Sequence, residues 1–220
     1  MDIDKKEVLR YLGYKNNSAD KQTSDLIDEC IDEMMKISKP KYIYKIFDIK
    51  KEQEQVNLLN TTLSLKGKNI KNHLKFSSKC SVMAATLGIE ADRQISIYSN
   101  LNLSKALVMD SCATAAIESL CDMAQEEIKE YAKTLGFNIT GRFSPGYGDL
   151  SIEIQPEIIN ILDAYKKIGL TATESCILIP RKSVTAFIGF QKPKNCDVKP
   201  NCLSCNKNNC EYRRSDYISE

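Results

Sequence analysis

The chain has 220 residues, long enough for one domain with a substantial core or for a domain with a small appendage. Its 31 Lys and Arg against 29 Asp and Glu leave a formal net charge of +2, so the overall balance carries no nucleic-acid or membrane footprint. Apolar residues make up 42%, an ordinary globular fraction, and the longest unbroken apolar runs, such as "CILIP", are too short to span a bilayer. The first ten residues combine acidic charge with no apolar segment, which sets the expectation of a soluble, cytoplasmic protein whose nine cysteines are reduced.

In chain order, Val8, Leu9 and Leu12 recur at helical spacing within Lys5 to Tyr14, with Gly13 as the stop. A second helix fits Ser24 to Ile37, with Leu26, Ile27, Cys30, Ile31 and Met34 on one face and Pro40 beyond its end. Tyr42 to Ile49 alternates and is rich in aromatic and β-branched residues, which predicts a strand. "VNLLNTTLSLKG" reads as a further strand-like run closed by a Gly turn, an antiparallel neighbour of the first. Lys66, Lys68, Lys71, Lys75 and Lys79 lack interleaved aromatics and read as a solvated face, and His73 among them as a structural or surface histidine.

"CSVMAATLG" predicts a buried strand, and Ile89 to Asn100 a helix. The strongest periodicity runs through Leu103, Leu107, Ile117, Cys121, Ala124, Ile128, Tyr131 and Leu135, with Gly136 as the stop. Asp110 falls on that stripe and reads as an N-cap where two helices meet, with a buried functional acid as the alternative. Pro156 to Gly169 is a compact helix, and "TATESCILIP" and "SVTAFIGFQ" are two strands joined as a hairpin through "RK". Helices and strands without regular βαβ alternation predict an α+β fold, with a largely antiparallel sheet flanked by helices, over residues 1–193. Residues 194–220 form a Cys-rich tail.

Between the long helix and the next element lies "NITGRFSPGYGDLSIEIQ". It carries neither a P-loop nor a dinucleotide fingerprint. Pro145-Gly146 is the favoured central pair of a type II turn, with Ser144 held extended by the proline. Gly146 and Gly148 leave room for a ligand at main-chain amides, Arg142 offers a donor fork for a carboxylate, and Tyr147 offers an aromatic face. On spacing alone, a connecting loop and a ligand site both remain open.

Arg142, Pro145, Gly146 and Tyr147 resemble the Arg-x-x-Pro-Gly-Tyr signature of the S-adenosylmethionine-binding activation domain of cobalamin-dependent methionine synthase. Thr173, Glu174, Ser175, Pro180, Ser183 and Val184 are similar to that family's Thr-Glu-Ser…Pro…Ser-Val segment. In "AAIESLCDMAQEEIKEYA", Glu118 falls where the family places an acidic ligand contact; without the resemblance, it reads as a solvated helix flank with Asp122 and Gln125. The resemblance covers roughly residues 110–190, and it implies the bent sheet of that domain. It departs after Tyr147, and the family's N-terminal acidic contact has no secure counterpart, Asp48 being an insecure stand-in.

The resemblance implies that Arg142 pairs with the methionine carboxylate of S-adenosylmethionine. The backbone near Ser144 and Gly146 meets the ligand, Tyr147 packs on it, and Glu118 accepts from its ammonium or a hydroxyl. The implied task is the reductive remethylation of cob(II)alamin, a methyltransferase-class role in methionine biosynthesis. No Asp-x-His-x-x-Gly cobalamin motif is present, so the cobalamin is expected on a partner methionine synthase core, with a flavodoxin or ferredoxin as electron donor. Methyl transfer from a sulfonium to a cobalt nucleophile needs no general base, which suits a chain with a single histidine.

The tail is the second chemical feature. Cys196, Cys202, Cys205 and Cys210 offer a tetrahedral thiolate set for zinc or an iron–sulfur cluster, or a tail of unpaired thiols. Two alternative functions follow: an activator of another corrinoid methyltransferase with an iron–sulfur relay in the tail, or a zinc-stabilised interaction protein that is not an enzyme.

Overall fold

The computed structural model describes residues 1–14 and 19–193. Helices α1 (Lys5–Tyr11) and α2 (Lys21–Ile37) start at Asp4 and Asp20, whose carboxylates accept from Lys6 N at 2.8 Å and Thr23 N at 3.0 Å. Strand β1 (Lys41–Lys51) leads into β2 (Gln55–Leu58) and β3 (Ser64–Lys66), followed by the short helix α3 (Lys68–His73) and by β4 (Ser77–Thr86). Helix α4 (Ile89–Leu101) and the 32-residue α5 (Leu103–Thr134) form a pair joined at Asn102, which caps α5 by accepting from Lys105 N at 3.0 Å. After β5 (Asn138–Ile139) come α6 (Gln155–Leu162), α7 (Ala164–Ile168), β6 (Thr171–Ala172), β7 (Leu178–Ile179) and β8 (Ser183–Gln191).

The main sheet is six-stranded and antiparallel throughout, in the order β3-β2-β1-β4-β8-β5. It is bent: β1 pairs with β4 over Lys41–Asp48 and with β2 only from Ile49 onward. Both faces are covered. Met83, Ala85, Ile188 and Phe190 pack under α1, α2, α4 and α5 with Ile27, Met34, Cys112, Ala116 and Ile128. Cys80, Val82, Ala84 and Phe187 face the other way, toward Leu65, Ile70, Ile158, Leu162 and Leu170. Central strands buried on both faces read as unbroken apolar runs, which is why β4 and β8 stand out in the sequence.

The α+β class and the antiparallel sheet flanked by helices agree with the sequence reading, and four local expectations are corrected. "VNLLNTTLSLKG" is not one strand: the chain turns at Asn60, φ 62°, and returns as β3. Asp110 caps nothing, because α5 runs through it without a break. The segment from Pro156 to Gly169 is two helices, since Asp163 adopts φ 56° and separates α6 from α7. The expected hairpin through Arg181-Lys182 does not form. Strand β7 pairs with β6, Thr171 opposite Ile179, whereas β8 inserts between β4 and β5. A local pattern identifies strands but not which neighbour offers the larger apolar surface, and β4 with its fully buried residues wins β8.

The cysteines of the folded part behave as expected: Cys30, Cys80, Cys112, Cys121 and Cys176 are buried and free. The Cys196, Cys202, Cys205 and Cys210 expectation lies outside the described residues. Among the described residues there is no group of three or more metal-ligating side chains, and no helix is long and apolar enough to cross a membrane.

Candidate functional site

The loop after β5 leaves the sheet at Phe143, whose backbone exchanges two hydrogen bonds with Phe187 of β8, at 3.0 and 2.8 Å. Arg142 precedes this anchor and reaches α5. Its Nη2 donates to Glu118 Oε2 at 2.9 Å, and its Nη1 donates to Asp122 Oδ1 at 2.7 Å and to Gln125 Oε1 at 3.3 Å. The three acceptors are neighbours on one helical face by their i, i+4, i+7 spacing. The Arg142 side chain is 16% exposed, against 36% for Glu118 and 53% for Asp122. Burial works against the guanidinium charge, but the hydrogen bond to Asp122 and the nearby acidic charges override it and hold Arg142 firmly protonated. Burial pushes the adjacent Cys121 thiol up to about 12, so it is a packing residue and not a nucleophile.

The type II turn is present. Gly146 has φ 87°, and Tyr147 N donates to Ser144 O at 3.2 Å across Pro145-Gly146. A Cβ at Gly146 would meet nothing within 4 Å, so it is the conformation and not crowding that requires glycine there. The loop is tied at both ends. Gly146 N donates to Leu150 O at 2.9 Å, and the Asp149 carboxylate accepts from Lys68 N at 2.6 Å and Asn69 N at 3.1 Å, capping α3 from a distant part of the chain. Tyr147 is left 63% exposed, with its ring edge-on to Phe143 at 6.4 Å. Beneath the loop, His73 Nε2 lies 2.9 Å from Thr140 Oγ1 and its ring 5.1 Å from that of Phe143.

The structure joins Arg142 to Glu118 on α5 and places Ser144, Gly146 and Tyr147 in the turn that follows, where Tyr147 lies against Phe143, a side chain packed on the core of the other sheet face. Asp48 is not among them: it accepts from Lys79 across the β1–β4 pair at 2.5 Å. His73 is structural, as expected. Asp122 and Gln125, read only as a flank, are the remaining acceptors of Arg142, and their spacing from Glu118 was a readable signal. Asp149 left no local signal, because its partners are 80 and 81 positions away.

The second matched block runs beside the first. Asp92 accepts from Arg181 N at 2.5 Å, and Lys182 Nζ reaches Asp110 Oδ1 at 2.9 Å and Thr114 Oγ1 at 2.9 Å. Asp110, Thr114, Glu118 and Asp122 therefore form one line along α5, about 18 Å long at 1.5 Å per residue. Lys182 docks at its beginning and Arg142 at its end. Among the described residues, Ser183–Ala186 of β8 has no partner strand on the side where Phe143 and β5 pair farther along.

This architecture defines a class, a bent antiparallel sheet wrapped by helices with one long helix carrying an Arg-linked acidic face. Among solved structures the chain is similar to the crystal structure of the MetH reactivation domain bound to AdoHcy, with a TM-score of 0.61 and 14% sequence identity, over 78% of this chain and 66% of that one. The fold is shared, and the aligned region spans just under two thirds of that structure's chain. No protein-family model and no curated protein sequence matches the chain.

Proposed function

We propose that the protein binds S-adenosylmethionine between α5 and the Arg142–Tyr147 turn, and that it serves the reductive remethylation of cob(II)alamin held by a partner methionine synthase core. One observation carries the reading. Glu118 and Arg142, 24 positions apart and marked by separate sequence blocks, meet at 2.9 Å, one residue before the Phe143 anchor of the loop that carries the exposed Tyr147. A buried, permanently charged fork suits a carboxylate, Glu118 suits an ammonium, and the open Tyr147 face suits a sulfonium. The structural neighbour was crystallised with AdoHcy, which supports a ligand of this chemical type.

When bound, S-adenosylmethionine supplies an activated methyl group. The chain's own contribution is to hold the ligand and orient it toward a partner surface, so positioning carries the catalysis. The electron comes from outside, from a flavodoxin or ferredoxin. A second reading has its own observation: Arg142 is already satisfied by Glu118, Asp122 and Gln125, as a purely structural clasp between loop and helix would be.

Calorimetry with S-adenosylmethionine decides. The full chain is expected to bind it, and Arg142→Ala to weaken binding by at least about tenfold, ~1.4 kcal/mol. Tyr147→Ala is expected to weaken binding while leaving the melting temperature unchanged, because that ring is largely in water. Absence of binding with and without a corrinoid partner overturns the reading. Unchanged binding in Tyr147→Ala together with a large melting loss in Arg142→Ala establishes the clasp instead.

A further inference from the structure

Arg181 and Lys182, in the turn between β7 and β8, overhang a cavity of about 340 Å³ whose other walls include Asp92, Ile95 and Ser96 of α4 and Asp110 of α5. Much of the polar capacity there is taken up by the walls themselves. The three donors of the Lys182 ammonium meet Asp110 Oδ1 at 2.9 Å, Asp110 O at 3.2 Å and Thr114 Oγ1 at 2.9 Å. Asp92 holds the turn to α4 by accepting from Arg181 N at 2.5 Å and Lys182 N at 3.4 Å. These bonds tie the turn to α4 and α5 along one side of the cavity, whose other side is open.

What remains is unevenly distributed. The Arg181 guanidinium is exposed and its side chain makes no hydrogen bond or ion pair with any described residue, while its backbone is pinned. A carboxylate offers about four acceptor directions, so Asp92 and Asp110 keep free lone pairs after the bonds above. Asp92 and Asp110 balance Arg181 and Lys182, so the lining has no net charge and favours neither a simple anion nor a simple cation. It favours a small molecule with separated poles. The volume is at the lower end of ligand pockets, which points to a small metabolite and away from a nucleotide.

We propose that this cavity is a binding site for a free α-amino acid. The carboxylate sits on the Arg181 fork, the ammonium lies between Asp92 and Asp110, and the side chain lies toward Ile95. The site is separate from the Arg142 turn, since Asp110 precedes Glu118 by two helical turns, about 12 Å along α5. It stands whether or not the Arg142 site takes S-adenosylmethionine.

The test is an NMR titration of the full chain with each of the common free amino acids. For leucine, isopentylamine and 4-methylpentanoate serve as controls that each keep a single pole. At least one amino acid is expected to give saturable shifts at Ser96, Asp110 and Arg181. Its single-pole counterparts and the Arg181→Ala protein are expected to bind at least about tenfold more weakly, and Tyr147→Ala to leave binding unchanged. Arg181 is exposed, so its replacement spares the fold. Three results overturn the proposal: no amino acid binding up to ~10 mM, about 2.7 kcal/mol; a single-pole analogue binding as tightly as the zwitterion; or binding that survives Arg181→Ala.

Discussion

Arg142 shows how one side chain serves two structural ends. Its short lever from the Phe143 anchor and its three acceptors on α5 hold the turn against the long helix, and that same rigidity presents an oriented fork. His73, beneath the turn, gives a pH dependence that can be measured. Burial lowers its pKa below the ordinary 6.5, despite the contrary pull of nearby backbone carbonyls at Gly141 and Phe187. Above pH 6.5 the ring is neutral in folded and unfolded chains, and its contribution is fully present. As pH falls through and below 6.5 the unfolded chain takes up the proton first, so stability declines until the folded-state pKa is passed. Urea melts between pH 7.5 and 5 are expected to show this decline, and His73→Gln to remove it. A melt profile that is identical in both proteins contradicts the assignment.

At the scale of elements, the turn is positioned by a contact that no local pattern announces. Helix α3 has no side-chain cap of its own, and Asp149 supplies one from the far side of the turn, with Gly67 packed closely enough that a Cβ there would lie 2.6 Å from the Asp149 carboxylate. Asp149→Ala is expected to speed amide exchange at Lys68 and Asn69, lower the melting temperature and weaken ligand binding at the turn. Unchanged exchange at those two amides would show that the cap is not what holds the loop. Much of the site was nonetheless legible. The type II turn followed from Pro145-Gly146 alone, Glu118 entered through the family resemblance, and Asp122 and Gln125 were read only as its solvated flank although helical spacing puts all three on one face. Strand pairing was legible only in part: β1 and β2 are the antiparallel neighbours expected, but β7 and β8 look like a hairpin until the buried surface of β4 is in place, because adjacency in sequence is a weaker determinant than the apolar area a neighbour can cover. Asp110 was misassigned for a related reason, since a helix continues through an aspartate when Lys182 from another element compensates it at 2.9 Å.

For the whole molecule, the two cores share one sheet, and Phe187, Ile188 and Phe190 near the end of the described residues are fully buried. A protein ending at Pro193 is therefore expected to keep the melting temperature and the ligand binding of the full chain. Metal analysis of the two forms purified anaerobically then locates any zinc or iron in residues 194–220. Loss of folding on truncation would show that the tail is part of the domain. The sequence by itself determined the longer helices and strands, the antiparallel α+β class and the turn at Ser144–Tyr147, because these depend on hydrophobic period and on the conformational limits of Pro and Gly, which are local. Only the tertiary structure decided that Arg142 closes on Glu118, that Asp149 caps α3, and that the Arg181 side chain has no partner among the described residues beside a half-open cavity. Those outcomes depend on which distant surfaces meet, and that is decided by burying both faces of the sheet at once.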